Sequence, residues 1–175
     1  EAQIWSTLAH PNVLPFFGAN VDLFAPYVCL VSPWMSNGDI MSFLKQNPGH
    51  DRLKSIIEVA NALDYLHNLD PIIVHSDIRG ANILVNDNFT CCLGNFGTSF
   101  AVDKICASPL TTLQTPRYPI LRWMAPELIR SDETEAQIGV EPASRDIYSF
   151  GCTLVEVRTS ILTAPSTHCI IDIHK

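Results

Sequence analysis

The chain has 175 residues, enough for one well-cored domain, with the 47% apolar and 17% charged composition of an ordinary globule. No apolar run reaches the ~18–20 residues that span a bilayer, and no basic segment followed by an apolar one reads as a secretory leader. The 11 Lys+Arg are unclustered and the net charge is −7, which argues against a nucleic-acid surface and leaves proteins or small molecules as the expected partners.

Along the chain, Glu1 to Leu8 reads as the last turns of a helix, closed by Ala9-His10-Pro11-Asn12. Val13 to Ala19 and Tyr27 to Ser32 are short β-rich runs split by turn residues, which predicts a pair of strands. Gly38 to Gln46 predicts a short helix. From Asp51 to Asn68, apolar Leu53, Ile56, Ile57, Ala60, Leu63 and Leu66 recur at helical spacing, so a long amphipathic helix is expected. Ile72 to Val74, Ile83 to Val85 and Cys91 to Leu93 read as small strands, and Asn95 to Arg122 as turn-rich and irregular. A second long helix is expected from about Ala143, with Ile147, Phe150, Gly151, Leu154 and Val155 on one face. After Ser160 the helical period dissolves into a tail without charge until Asp172. The whole is α+β, with strands early and helices dominating later.

The six cysteines show no metal spacing, and the adjacent Cys91-Cys92 pair lies in an apolar strand pattern. Buried, reduced thiols are the expectation, and with them a cytoplasmic location.

The segment Val74-His75-Ser76-Asp77-Ile78-Arg79-Gly80-Ala81-Asn82 carries the densest chemistry: a loop between two strands, with a carboxylate and an amide five positions apart. It follows His10-Pro11-Asn12 and precedes Asn95-Phe96-Gly97, Ala125-Pro126-Glu127 and Asp146-Ile147-Tyr148-Ser149-Phe150-Gly151. In this order and spacing, the five strings resemble the eukaryotic protein kinase family. Arg79-Gly80-Ala81-Asn82 and Arg122-Trp123-Met124-Ala125-Pro126-Glu127 are most similar to the tyrosine-kinase-like and tyrosine kinases. The resemblance covers about residues 1–160 and implies a truncated protein kinase-like fold. Residues 1–37 would be the remnant of the smaller lobe with its hinge, residues 38–160 the first half of the helical lobe, and residues 161–175 a divergent tail.

The resemblance also implies roles. Asp77 matches the base or orienting carboxylate beside the acceptor hydroxyl, Asn82 the amide ligand of one magnesium, and Arg79 a cation facing the γ-phosphate of ATP. Ser32 matches the gatekeeper. Pro33-Trp34-Met35 matches the adenine-facing strand, with the carbonyl of Pro33 and the N–H of Met35 as its polar groups, and Leu84 the residue beneath the base. Trp5, Phe16, His75 and Phe96 match four stacked residues that link the lobes, with Asp146 as their anchor.

Four departures weigh against catalysis. Asn95 stands where the family has a magnesium-binding aspartate, and a hard cation prefers anionic oxygen, so Mg²⁺ positioning is expected to weaken. Ser76 replaces an arginine that grips a phosphorylated loop. Tyr118 to Trp123 carries one extra residue in the substrate-binding stretch. Neither a Gly-rich phosphate loop nor a lysine partner for Glu1 occurs in the chain. Two functions follow as expectations: impaired phosphoryl transfer from ATP to protein Ser, Thr or Tyr, or a pseudokinase that binds protein partners as a scaffold.

Overall fold

The computed structural model describes residues 1–102, 121–129 and 141–159. Short helix α1 (Ala2–Trp5) leads into the antiparallel pair β1 (Gly18–Asn20) and β2 (Cys29–Val31), in register Ala19 to Leu30. The predicted pair exists but is shorter than its apolar runs. Before β1 the chain lies instead along a later strand: Leu93 N–H donates to Asn12 O (2.8 Å) and Leu14 N–H to Leu93 O (2.8 Å).

Two helices follow, each capped by an aspartate. Asp39 accepts from the N–H groups of Met41 and Ser42 at the start of α2 (Ile40–Gln46), and Asp51 from Leu53 and Lys54 at the start of α3 (Arg52–Asn68). α3 buries Ser55, Val59, Ala62, Leu63 and Leu66, whereas Leu53 and Ile57, expected on its apolar face, are mostly exposed. The helix exists as predicted, rotated slightly from its predicted face.

β3 (Ile72–Val74), β4 (Ile83–Val85) and β5 (Cys91–Leu93) fall where the sequence places them. β4 pairs antiparallel with β5, while β3 pairs with β6 (Phe100–Val102), a strand inside the stretch expected to be irregular. β6 has only three residues, too few for an alternating pattern to stand out, and it exists because β3 supplies its partner. Short α4 (Pro126–Ile129) and long α5 (Pro142–Thr159) complete the described part. The stretch from Tyr118 to Trp123 lies partly, and the 161–175 tail wholly, outside the described residues.

The core packs α2 and α3 against β4 and β5, with Ile40, Leu66, Val85 and Leu93 fully buried. Cys29, Cys91, Cys92 and Cys152 are free thiols, and burial pushes Cys91 up to about 12 and Cys92 to about 11. Those two are packing groups, with negligible thiolate at neutral pH.

α5 departs most from its predicted pattern. Its buried side chains are Asp146, Ser149, Thr153, Glu156 and Val157, four of them polar, while Ile147 and Val155 are more than half exposed. Of the residues expected to face inward, Phe150 and Leu154 are half-buried, Phe150 against the core, while Ile147, Gly151 and Val155 are exposed. What α5 presents to the interior is a row of hydrogen-bonding groups at helical spacing.

Candidate active site

That polar row holds the loop after β3. The Asp146 carboxylate, fully buried, accepts from His75 N–H (2.8 Å), Ser76 N–H (2.8 Å) and the His67 ring (3.0 Å). Ser76 has φ +67°, a left-handed turn that lets consecutive amides reach one carboxylate. A step further along α5, Thr153 Oγ1 shares its one proton between Ser149 O (2.8 Å) and Ile78 O (3.2 Å), and Glu156 Oε2 accepts from Gly80 N–H (2.8 Å). A Cβ at Gly80 would come within 2.6 Å of Met41 Cγ, so only glycine allows this approach. The loop is pinned at Asp146, Thr153 and Glu156.

On the opposite side His75 is also fully buried. Its Nε2 meets Gly94 O at 2.9 Å, and its ring packs edge-on to Phe96 (centroids 5.0 Å). Phe96 stacks on Trp5 (6.0 Å), which tilts against Phe16 (5.0 Å). The predicted four-ring column is therefore continuous. Trp5 Nε1 donates to Leu14 O, so the column buries no unpartnered indole donor. Burial, opposed by the Asp146 charge, holds the His75 imidazole below its usual pKa and keeps it neutral.

Asp77, Arg79, Asn82 and Asn95 converge as a consequence. Asn82 Nδ2 donates to both Asp77 O and Asp77 Oδ2 at 2.7 Å. Arg79 Nε lies 3.0 Å from Asp77 Oδ1, close enough for an ion pair although not aligned as a hydrogen bond. Asn95 has φ +66°, a conformation asparagine tolerates. Its Nδ2 donates to Asp77 Oδ2 (3.3 Å) and to Asn82 Oδ1 (3.1 Å). Asp77 Oδ2 thus accepts from two amides, and Oδ1 is paired with the Arg79 charge.

This donor set does not fit a hard dication. Mg²⁺ needs oxygen ligands, several of them anionic, and Asn95 instead turns an N–H donor toward the oxygens of Asp77 and Asn82. Among the described residues, no group of three or more His, Cys, Asp or Glu could hold a metal.

The residues matched to the hinge adjoin β4, where Asp39 bridges Leu84. Met35 is buried, while Ser32 and Pro33 are half-buried. Gly38 N–H donates to Met35 O and Val85 N–H to Gly38 O (both 2.9 Å), which ties the hinge to the strand that carries Leu84. Half-buried Leu84 lies 3.6 Å from the position a Cβ on Gly94 would take. Glu1 reaches the Asn-Phe-Gly turn, where its Oε2 would come within 3.2 Å of a Cβ on Gly97.

His67, Thr153 and Glu156 escaped the sequence reading. The polar members of the α5 row, spaced 146, 149, 153 and 156, were the signal available for two of them; a lone histidine at the end of α3 offers none. Glu156 also accepts from Trp123 Nε1 (3.1 Å), so the loop and the Arg122-Trp123 segment share one carboxylate.

Burial raises the pKa of Glu156 against the opposing effect of its two hydrogen bonds. A raised carboxylate stabilises the fold below its unfolded value of 4.5, and that contribution is lost as pH rises through the folded value. The depressed His75 acts oppositely: stability present above 6.5 is lost on acidification. Glu156→Gln keeps an acceptor oxygen but removes the first effect. Urea midpoints from pH 8 to 5 should therefore fall more steeply for the variant than for the wild type, and parallel curves would refute the assignment.

The sequence profile of the protein tyrosine and serine/threonine kinase family matches residues 1–168. A protein of Acanthamoeba polyphaga mimivirus, provisionally named serine/threonine-protein kinase/receptor R831, is 36% identical over 91% of this chain and 9% of its own length. Serine/threonine-protein kinase CTR1 of Arabidopsis thaliana is 31% identical over 91% of this chain and 18% of its own. Dual specificity protein kinase splA of Dictyostelium discoideum is 32% identical over 91% and 7%. The chain thus spans under a fifth of the length of each of these relatives.

Proposed function

The chain belongs to the protein tyrosine and serine/threonine kinase family, and from that premise we propose that it is a nucleotide-binding member, of the tyrosine-kinase-like group, in which phosphoryl transfer to protein hydroxyls is impaired. One observation carries this reading: Asp77, which matches the family's base, lies in a pinned loop, and the group meeting it from the Asn-Phe-Gly turn is a neutral amide. In this reading Asp77 orients the acceptor hydroxyl, Arg79 offers positive charge to the transferring phosphate, and Asn82 keeps the Asp77 carboxylate in its rotamer. ATP would lie between the hinge, with Ser32, Pro33 and Met35, and the Leu84 side of β4. When bound, Mg²⁺ supplies charge neutralisation between phosphates in this family, and the donor set at Asn82 and Asn95 is poor for it. The domain would run over 1–160 and act in the cytoplasm on a protein partner. Among the described residues no helix is long and apolar enough to cross a membrane.

A non-catalytic scaffold is the second reading. Its support is the contrast between the continuous Trp5–Phe96–His75 column, with its Asp146 anchor, and the neutral donor at Asn95.

Radiolabelled ATP with a protein acceptor tests the proposal. Transfer should lie at least ~100-fold below the ~1–100 s⁻¹ of ordinary kinases, and Asp77→Asn should abolish what remains. An ordinary turnover rate would overturn it. Residual labelling unaffected by Asp77→Asn would deny Asp77 its role, and a melt unmoved by ATP would deny nucleotide binding.

A further inference from the structure

Two amide nitrogens, from Asn82 and Asn95, meet the Asp77 carboxylate at the centre of the cluster, and the nitrogen of Asn95 is the unusual member. An asparagine NH₂ has two hydrogens, and Asn95 aims them at two acceptors from a different segment, Asp77 Oδ2 at 3.3 Å and Asn82 Oδ1 at 3.1 Å. Its own Oδ1 faces the other way, 3.6 Å from the position of a Cβ on Gly97. Asn82 is in turn oriented by Asp77, to which its Nδ2 donates twice at 2.7 Å. The backbone at Asn95 is left-handed, with φ +66°.

We infer that the Asn95 carboxamide serves as the internal counterpart of a divalent cation, holding Asp77 and Asn82 together so that this site assembles without metal. The inference deepens the reading of an impaired kinase-family site and concerns what that site accepts. A cation and an NH₂ group compete for the same lone pairs, since each brings positive charge to Asp77 Oδ2 and Asn82 Oδ1. With aspartate at position 95 the atom meeting those oxygens would itself be an anionic oxygen. Two carboxylates and an amide oxygen would then face one another, stable only with a cation or proton among them. Asparagine removes that requirement while preserving the geometry. The wild-type cluster should therefore be indifferent to divalent ions, and one atom's change should restore dependence on them.

The test uses the 175-residue chain with manganese alone, without nucleotide. Mn²⁺ binding is read by water-proton relaxation, and melting is followed in EDTA and in excess MnCl₂. Wild type should melt identically in both and show no Mn²⁺ site tighter than the background of its surface carboxylates. Asn95→Asp should melt lower in EDTA, recover in Mn²⁺ and bind the ion at least about 10-fold more tightly than wild type. Asn95→Ala, which loses the two hydrogen bonds without gaining charge, should melt lower with no recovery in Mn²⁺. Wild-type binding as tight as that of Asn95→Asp would overturn the inference, as would an Asn95→Asp chain equally stable without metal. If Asn95→Asp fails to fold even in Mn²⁺, the inference fails too, because the cation should replace the lost amide. None of these readouts depends on phosphate transfer or ATP binding, so failure here is distinguishable from failure of the proposed function.

Discussion

Replacing Asp146 with alanine is expected to destabilise the chain by about 3–5 kcal/mol, a large part of the total stability of a domain this size. The carboxylate is fully buried and accepts from two consecutive backbone amides and the His67 ring. Alanine leaves both amides without that acceptor, and an unsatisfied buried donor costs about 1–3 kcal/mol. Because His75 and Ser76 immediately precede Asp77, the damage also reaches the candidate active site. Asp146→Asn retains one acceptor oxygen and should cost roughly half as much. Urea unfolding followed by far-UV circular dichroism measures both variants; a loss below about 1 kcal/mol for alanine would mean that Asp146 does not anchor the loop.

Phe96→Ala should produce a loss of similar size for a different reason. Phe96 is fully buried between Trp5 and His75, so truncation removes its transfer free energy and opens a cavity, together about 3–5 kcal/mol. Phe96→Leu refills most of that volume and should cost about 1–2 kcal/mol. The alanine variant should also alter the near-ultraviolet signal of Trp5, its ring neighbour. If Phe96→Ala unfolds at the wild-type urea concentration, or leaves that signal unchanged, the rings do not act as one column.

The two predictions probe the framework, and the framework was the more legible part of the sequence. β3, β4 and β5 fall on Ile72–Val74, Ile83–Val85 and Cys91–Leu93 as read, because apolar triplets bounded by turn residues have few alternatives. α2 and α3 are equally plain, each opening on an aspartate whose side chain caps two amides. Members of the column, Trp5, Phe16, His75 and Phe96, were identified by likeness to a family, and their contacts bear that grouping out.

The less legible parts share a cause: each depends on a partner distant in sequence. β6 is a strand because β3 pairs with it. α5 misled the apolar count because it packs against a loop rich in backbone donors and acceptors. Asp146, Ser149, Thr153 and Glu156 satisfy those groups, and Ile147 and Val155 are left outside. His67 gains its place only when α3 and α5 bring it to Asp146 across 79 positions of sequence.

The candidate site divides along the same line. The residue types were readable: a carboxylate at 77, amides at 82 and 95, a guanidinium at 79. Five motifs in order carried the resemblance to the kinase family, and that resemblance marked the missing carboxylate at 95. The direction in which Asn95 points was not readable, since an amide presents a donor or an acceptor according to its surroundings. The two acceptors brought to Asn95, Asp77 Oδ2 and Asn82 Oδ1, decide that it presents its nitrogen. Sequence thus determined which groups could meet. The tertiary structure decided that a donor, rather than an acceptor, faces Asp77, because the fold brings two acceptor oxygens to the Asn95 amide.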